Sequence, residues 1–284
     1  MKLDAATFLL QWATGGLLFG WVTTRRREVS LGYGWLIRIV FVTFAAGGAA
    51  VFLTGDLSAA RVVAAVAAIA CVVGALVALA VSVQRRGAGV RGREEVRAAR
   101  RARVSAMIGR SDAESGERGP EFLPVLDLIA PIAGAIGLLA AAQFAGGPYL
   151  LAAARLCVGA VFLGSVSDAM LLGHWYLVQP GLPRDPLKEL VFWTAVAWPF
   201  EIAVFLWPTG MVQVLNGTID DGYHGVLGWI WIGCAVLTIG LVGMTWAALR
   251  ERYYSAVMAA TGLLYLAILT AFGTDLVARA VLRP

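Results

Sequence analysis

Long apolar stretches recur eight times along this chain, each near or above the ~20 residues that a helix needs to cross a bilayer core. They lie at residues 5–23, 35–54, 61–84, 122–145, 148–178, 188–214, 223–248 and 254–280. Charged residues make up 14% of the sequence, well under the roughly 25% of a soluble domain. The expected class is an all-α integral membrane protein with eight transmembrane helices. The first stretch has Lys2 and Asp4 in its flank and Gln11 and Trp12 within it. It is read as a retained helix, not as a cleaved signal. Cys71, Cys157 and Cys234 all fall inside apolar stretches and form no C-x-x-C pair. They read as small buried residues, so neither a disulfide framework nor a metal site is expected.

The basic residues between the stretches are distributed unevenly. One set of alternate loops holds Arg25, Arg26 and Arg27, then ten arginines between Arg85 and Arg118, then Arg184 and Lys188, then Arg250 and Arg252. The other side offers Lys2, Arg61, Arg279 and Arg283, offset by Asp56, Asp220 and Asp221. By the positive-inside rule the arginine-rich loops are cytoplasmic and both termini non-cytoplasmic. A bacterial plasma membrane is the expected location. The net charge of +5 is then an inner-leaflet signature, and nucleic acid is not an expected partner.

Three regions follow: a three-helix segment at residues 1–84, a basic cytoplasmic loop at 85–121, and a five-helix segment at 122–284. Three spans and five are not equal halves, which argues against a transporter built from inverted repeats. In the loop, Arg97, Arg100, Arg101 and Arg103 lie on a predicted short basic helix. They read either as a solvated anchor or as a docking site for anionic lipid or a soluble subunit.

Ionisable residues within spans are costly and usually face protein or water. The first three spans are nearly bare of them, and Arg38 is read as reaching the headgroups. The later spans hold Asp127, Arg155, Asp168, His174, Glu201, His224 and Asp275. Glu201, between Pro199 and Pro208, is expected near mid-membrane, ~18 Å from the inner end of its span. Asp168 is expected at a similar depth, ~13 Å, so the two carboxylates could meet. Glu201, Asp168 and Asp127 are the proton-handling candidates, with structural glue between helices as the alternative.

His174, Trp175 and Tyr176 close the fifth span, and Trp193 and Trp198 follow on the sixth. These five are candidates for binding a quinone or lipid-like ligand; the alternative is an interfacial aromatic belt. Arg155 is read as a member of a structural ion pair with Asp275 or Asp220. Asp220, Asp221 and His224 form a weak candidate cation loop. The two histidines are expected at opposite faces, so no haem is predicted. No nucleotide-binding or hydrolase motif is present, and the chain is not expected to be catalytic by itself. The expected function is a membrane subunit of a larger, redox-type assembly that binds lipids and other subunits, holds a quinone or lipid-like ligand, and handles protons. The alternatives are a self-contained proton-coupled transporter and a non-catalytic scaffold subunit.

Overall fold

The computed structural model describes residues 4–25, 29–56, 58–85, 123–179, 182–206, 208, 210–251 and 253–282. Among them there are helices and no strands: α1 (Ala5–Thr24), α2 (Leu31–Leu53), α3 (Ala59–Gln84), α4 (Pro124–Ala141), α5 (Tyr149–Val178), α6 (Asp185–Leu206), α7 (Met211–Leu215), α8 (Val226–Arg250) and α9 (Tyr254–Val281). All except the short α7 are long and apolar enough to cross a membrane. The chain is a polytopic membrane protein. Eight crossings bring the start of α1 and the end of α9 to one face, the terminal face. Arg25, Arg85, Gln179 and Glu251, where α1, α3, α5 and α8 end, lie at the other, the loop face.

The ends of these helices are built from local chemistry. Asp4 caps α1, its Oδ2 accepting from the Thr7 N–H at 3.0 Å and the Thr7 hydroxyl at 2.6 Å. Ser30 stands at the N-cap of α2 and also accepts from Trp175 Nε1 at 2.8 Å, which ties α2 to the end of α5. Pro124 occupies the first turn of α4, where a missing N–H costs nothing.

Seven spans agree with the apolar stretches to within a few residues. The sixth does not: the apolar stretch runs to residue 214, whereas α6 stops at Leu206. Pro208 cannot donate a helical hydrogen bond and disfavours helix in the residue before it. At Gly210 the backbone turns so closely that an added Cβ would stand 1.9 Å from the Phe205 carbonyl oxygen.

Two helices form the centre. In α1 and α5, 67% of the apolar window is buried, against 33% in α6, α8 and α9. The two cross at glycines: a Cβ on Gly164 would meet the Gly15 backbone at 2.2 Å, and one on Gly15 would meet the Ala160 carbonyl. Small residues allow this approach, and close backbone packing is what joins helices within a bilayer. Although α1 belongs to residues 1–84, it packs against α2, α4 and α5 and reaches α9 through Phe8 and Phe272. At 30 residues, α5 is ~45 Å long, so it tilts across or projects beyond a core ~30 Å thick.

Candidate functional site

Buried polar side chains gather at two levels. The first lies towards the terminal face, where α9 supplies Asp275 and Arg279 one turn apart. Arg279 Nε donates to Asp275 Oδ2 at 2.7 Å and Nη2 to Oδ1 at 3.0 Å. The pair is almost wholly buried. Gln11 of α1 closes it: Nε2 donates to Asp275 Oδ1 at 3.5 Å, and Gln11 Oε1 accepts from Arg279 Nη2. Gly159 of α5 makes the room, since a Cβ there would stand 2.3 Å from Gln11 Nε2. Glu201 of α6 lies beside Asp275, Arg279 and Arg155, near enough to interact electrostatically with all three. It is fully buried and holds no arginine by an ion pair; its carboxyl is within side-chain hydrogen-bonding reach of Asp275 alone. Arg155 Nε donates to the Val204 carbonyl at 2.8 Å, satisfying one of the last acceptors of α6 and placing a cation at the negative end of that helix.

The second level lies towards the loop face. Arg38 of α2 grips Asp127 in the first turn of α4: Nε and Nη2 both donate to Oδ1, at 3.1 and 2.6 Å. Arg38 Nη1 also donates to the Gly34 carbonyl at 2.6 Å, and the Thr24 hydroxyl donates to Asp127 Oδ2 at 3.5 Å. A cavity of about 10 Å³ adjoins this pair. Across Gly20 of α1 lies Asp168 of α5. Its side chain is fully buried and has no hydrogen-bond partner on either oxygen. Tyr33 donates its hydroxyl to the Asp168 backbone carbonyl at 3.4 Å, leaving the carboxyl group untouched.

Hydroxyl groups stand between the levels. Thr194 of α6 donates to Ser165 Oγ at 3.1 Å. Ser165 is one turn from Asp168, and Thr194 two turns from Glu201, on the inward faces of α5 and α6. Glu201 and Asp168 do not meet. Because α6 starts at Asp185, Glu201 is sixteen residues, or ~24 Å, from the loop-face end of its helix, whereas Asp168 is ten residues, or ~15 Å, from its own. The shared mid-membrane depth expected from the apolar stretches is thus corrected: Glu201 belongs to the terminal half.

The three proton-handling candidates therefore occupy different environments. Asp127 is ion-paired, Asp168 is buried without a hydrogen-bond partner, and Glu201 is buried against the Asp275 carboxyl. The five ligand-binding candidates do not converge. His174 Nδ1 is 2.9 Å from the Tyr265 hydroxyl, at an exposed position between α5 and α9. Trp175 turns to Ser30 and Gln179. The Tyr176 hydroxyl donates to the Pro183 carbonyl at 2.6 Å. Trp193 packs near Phe19 and Phe192, and Trp198 Nε1 donates to the Ala235 carbonyl of α8 at 2.9 Å. Successive residues of a helix point ~100° apart, which is why His174, Trp175 and Tyr176 separate. The docking candidates Arg97, Arg100, Arg101 and Arg103 lie outside the described residues.

In the 216–225 connection, Asp221 acts as a cap. Its oxygens accept from the N–H groups of Tyr223, Gly225 and Leu227 at 2.9, 2.8 and 2.8 Å. Desolvation pushes its carboxyl up, but the backbone donors of Gly225, Tyr223, Leu227 and Gly228 together outweigh it and hold the group below the usual carboxylate range. Those oxygens serve the backbone, and among the described residues no three His, Cys, Asp or Glu gather as a metal site.

Sequence reasoning passed over Gln11 and assigned Arg38 and Arg279 to the headgroup and loop regions. A polar signal existed in each case, a Gln within an apolar run and an Arg inside or at the edge of one. The partners lie far away in sequence: Asp275 is 264 residues from Gln11. No family model, curated protein or solved structure matches this chain.

Proposed function

We propose that this chain is a membrane subunit that handles protons through Asp168 and Glu201. The observation that carries the reading is the sorting of four buried carboxylates. Asp127 and Asp275 each hold an arginine; Asp168 meets no hydrogen-bond partner on either oxygen, and Glu201 reaches only the neighbouring Asp275 carboxyl. Leaving a buried polar group without a partner costs ~1–3 kcal/mol, whereas a made hydrogen bond stabilises. Structural glue would be expected to bond something, as the two arginine pairs do. A carboxyl that cycles between protonation states gains by standing free of a fixed partner. The Ser165 and Thr194 hydroxyls, 3.1 Å apart, join α5 and α6, the helices that carry the two carboxyls.

A second reading concerns a lipid-like ligand. The His174–Tyr265 pair is exposed on a surface otherwise apolar, where the imidazole can meet a carbonyl-bearing lipid such as a quinone. The larger groove between α1, α4 and α5, about 250 Å³ and lined by Leu18, Pro131, Ile132, Cys157 and Val161, suits an apolar tail. Assembly with further subunits, and docking through the basic loop, belong to the same proposal.

The test is proton movement. The protein is reconstituted into vesicles with whatever subunits co-purify, a pH gradient is imposed, and its decay is followed with an internal dye. Glu201→Gln and Asp168→Asn keep size and polarity while removing titration. Each should slow the decay at least tenfold with folding intact. Decay at the wild-type rate in both variants would remove the proton role.

A further inference from the structure

We infer that Glu201 and Asp275 form one acid pair that holds a single proton, Glu201 carrying it and Asp275 accepting its hydrogen bond. The inference rests on the proton-handling reading and adds Asp275 to the residues that hold the proton. Four helices converge here, with Gln11 on α1, Gly159 on α5, Glu201 on α6, and Asp275 and Arg279 on α9. Gln11, Glu201, Asp275 and Arg279 are all 0% exposed, so their polar atoms have to find partners within the protein.

The direction of each hydrogen bond assigns the charges. Asp275 Oδ2 accepts from Arg279 Nε at 2.7 Å. Asp275 Oδ1 accepts from Arg279 Nη2 at 3.0 Å and from Gln11 Nε2 at 3.5 Å. A group that accepts on both oxygens is bonded as an ionised carboxylate. Glu201 differs. Among the described residues no donor meets either of its oxygens, and its side-chain partner within reach is the Asp275 carboxyl. A carboxylate only accepts, so two of them cannot bond each other, and two carboxyls in contact hold one proton between them. A protonated Glu201 has an O–H to donate, and Asp275 is the acceptor it faces. An O–H donating to a carboxylate makes one of the stronger hydrogen bonds. Gly159 keeps the space clear, since a Cβ there would stand 3.2 Å from Asp275 Oδ1.

The charged groups near Glu201 are Asp275 and Arg279 of α9 and Arg155 of α5. Helix α8, which packs on α6, carries no charged residue between Val226 and Leu249. Arg279 turns to Asp275 and to Gln11 Oε1, and Arg155 Nε turns to the Val204 carbonyl. An arginine bonded to Glu201 would pin it as a carboxylate. The Asp275 carboxylate, neutralised by Arg279, instead gives the Glu201 proton an acceptor. Asp275 is thus a positioning residue for that proton as well as half of an ion pair.

Infrared spectroscopy of the intact protein, with whatever subunits co-purify, tests the pair. The C=O band that disappears in Glu201→Gln belongs to Glu201, and the one that disappears in Asp168→Asn belongs to Asp168. Donating a hydrogen bond weakens a carboxyl C=O. The Glu201 band should therefore lie at lower frequency than that of Asp168, whose carboxyl has no partner. Asp275→Asn, its folding checked by a thermal melt, should keep the Glu201 band and raise its frequency. A Glu201 band at or above the frequency of the Asp168 band, or one that folded Asp275→Asn leaves in place, would overturn the pair. Should Asp275→Asn fail to fold, the comparison of the two wild-type bands decides alone. Absence of any Glu201 C=O band at every accessible pH would remove the proton role of Glu201 itself, and the pair with it.

Discussion

Asp275 and Arg279 stand one turn apart on α9, and the guanidinium holds both carboxylate oxygens of Asp275, at 2.7 and 3.0 Å. Glu201 lies beside this pair, reaching the Asp275 carboxyl but held by neither Arg279 nor Arg155 in an ion pair. The same contrast recurs near the loop face, where Arg38 holds Asp127 and leaves Asp168 alone. Stability and proposed function are thus divided between neighbouring carboxylates.

Breaking a pair should cost more than deleting it. Arg279→Leu strands a buried carboxylate and is expected to destabilise the protein by ~3–5 kcal/mol. Replacing Asp275 and Arg279 together with leucine should recover most of that loss. Unfolding in mixed micelles, compared across the two single variants and the double one, measures the difference.

The α1–α5 crossing predicts a steep dependence on side-chain size. Gly164→Ala places a methyl group 2.2 Å from the Gly15 backbone, and overpacking of that kind costs ~1–3 kcal/mol. Gly233→Ala, where nothing lies within 4 Å, should be neutral. Paired thermal melts in detergent distinguish the two sites.

At the terminal face, Asp221 predicts an acid-sensitive cap. Its folded value lies below the unfolded one, so its contribution is present above about pH 4, the unfolded value. It is lost as the pH falls through the lower folded value. Amide exchange at Gly225 and Leu227 should therefore accelerate in acid beyond its intrinsic pH dependence, and Asp221→Asn should abolish that excess.

The arginine asymmetry predicts topology. Single cysteines placed in residues 85–121 should be protected from an impermeant thiol reagent in intact cells, and cysteines at residues 216–222 should react. The reverse pattern would invert the orientation.

Much of the fold was legible because hydropathy reports length and burial in lipid directly. The sixth span shows its limit. Residues 207–214 include Met211, Val212 and Val214, enough to carry an apolar reading across the break that Pro208 and Gly210 make. That error carried over to the site by moving Glu201 towards mid-membrane. The candidates Glu201, Asp168 and Asp127 were legible as ionisable residues inside spans. Their division into paired and unpaired was not, because it depends on Arg38, Gln11 and Arg279. Arg38 reads equally well as a residue reaching for headgroups, and Gln11 and Arg279 meet only when the first and last spans pack together. His174, Trp175 and Tyr176 looked like a cluster because adjacency in sequence hides the ~100° turn between neighbours on a helix.

The most direct test of the division is an infrared titration of four variants, Asp127→Asn, Asp168→Asn, Glu201→Gln and Asp275→Asn. Carboxyl groups that exchange protons appear as C=O bands whose intensity changes with pH. The pH-dependent bands should disappear in Asp168→Asn and Glu201→Gln, each losing its own, and persist in the folded Asp127→Asn and Asp275→Asn proteins. Bands lost with Asp127 or Asp275 instead, or bands that ignore pH throughout, would contradict the assignment of proton handling to Asp168 and Glu201.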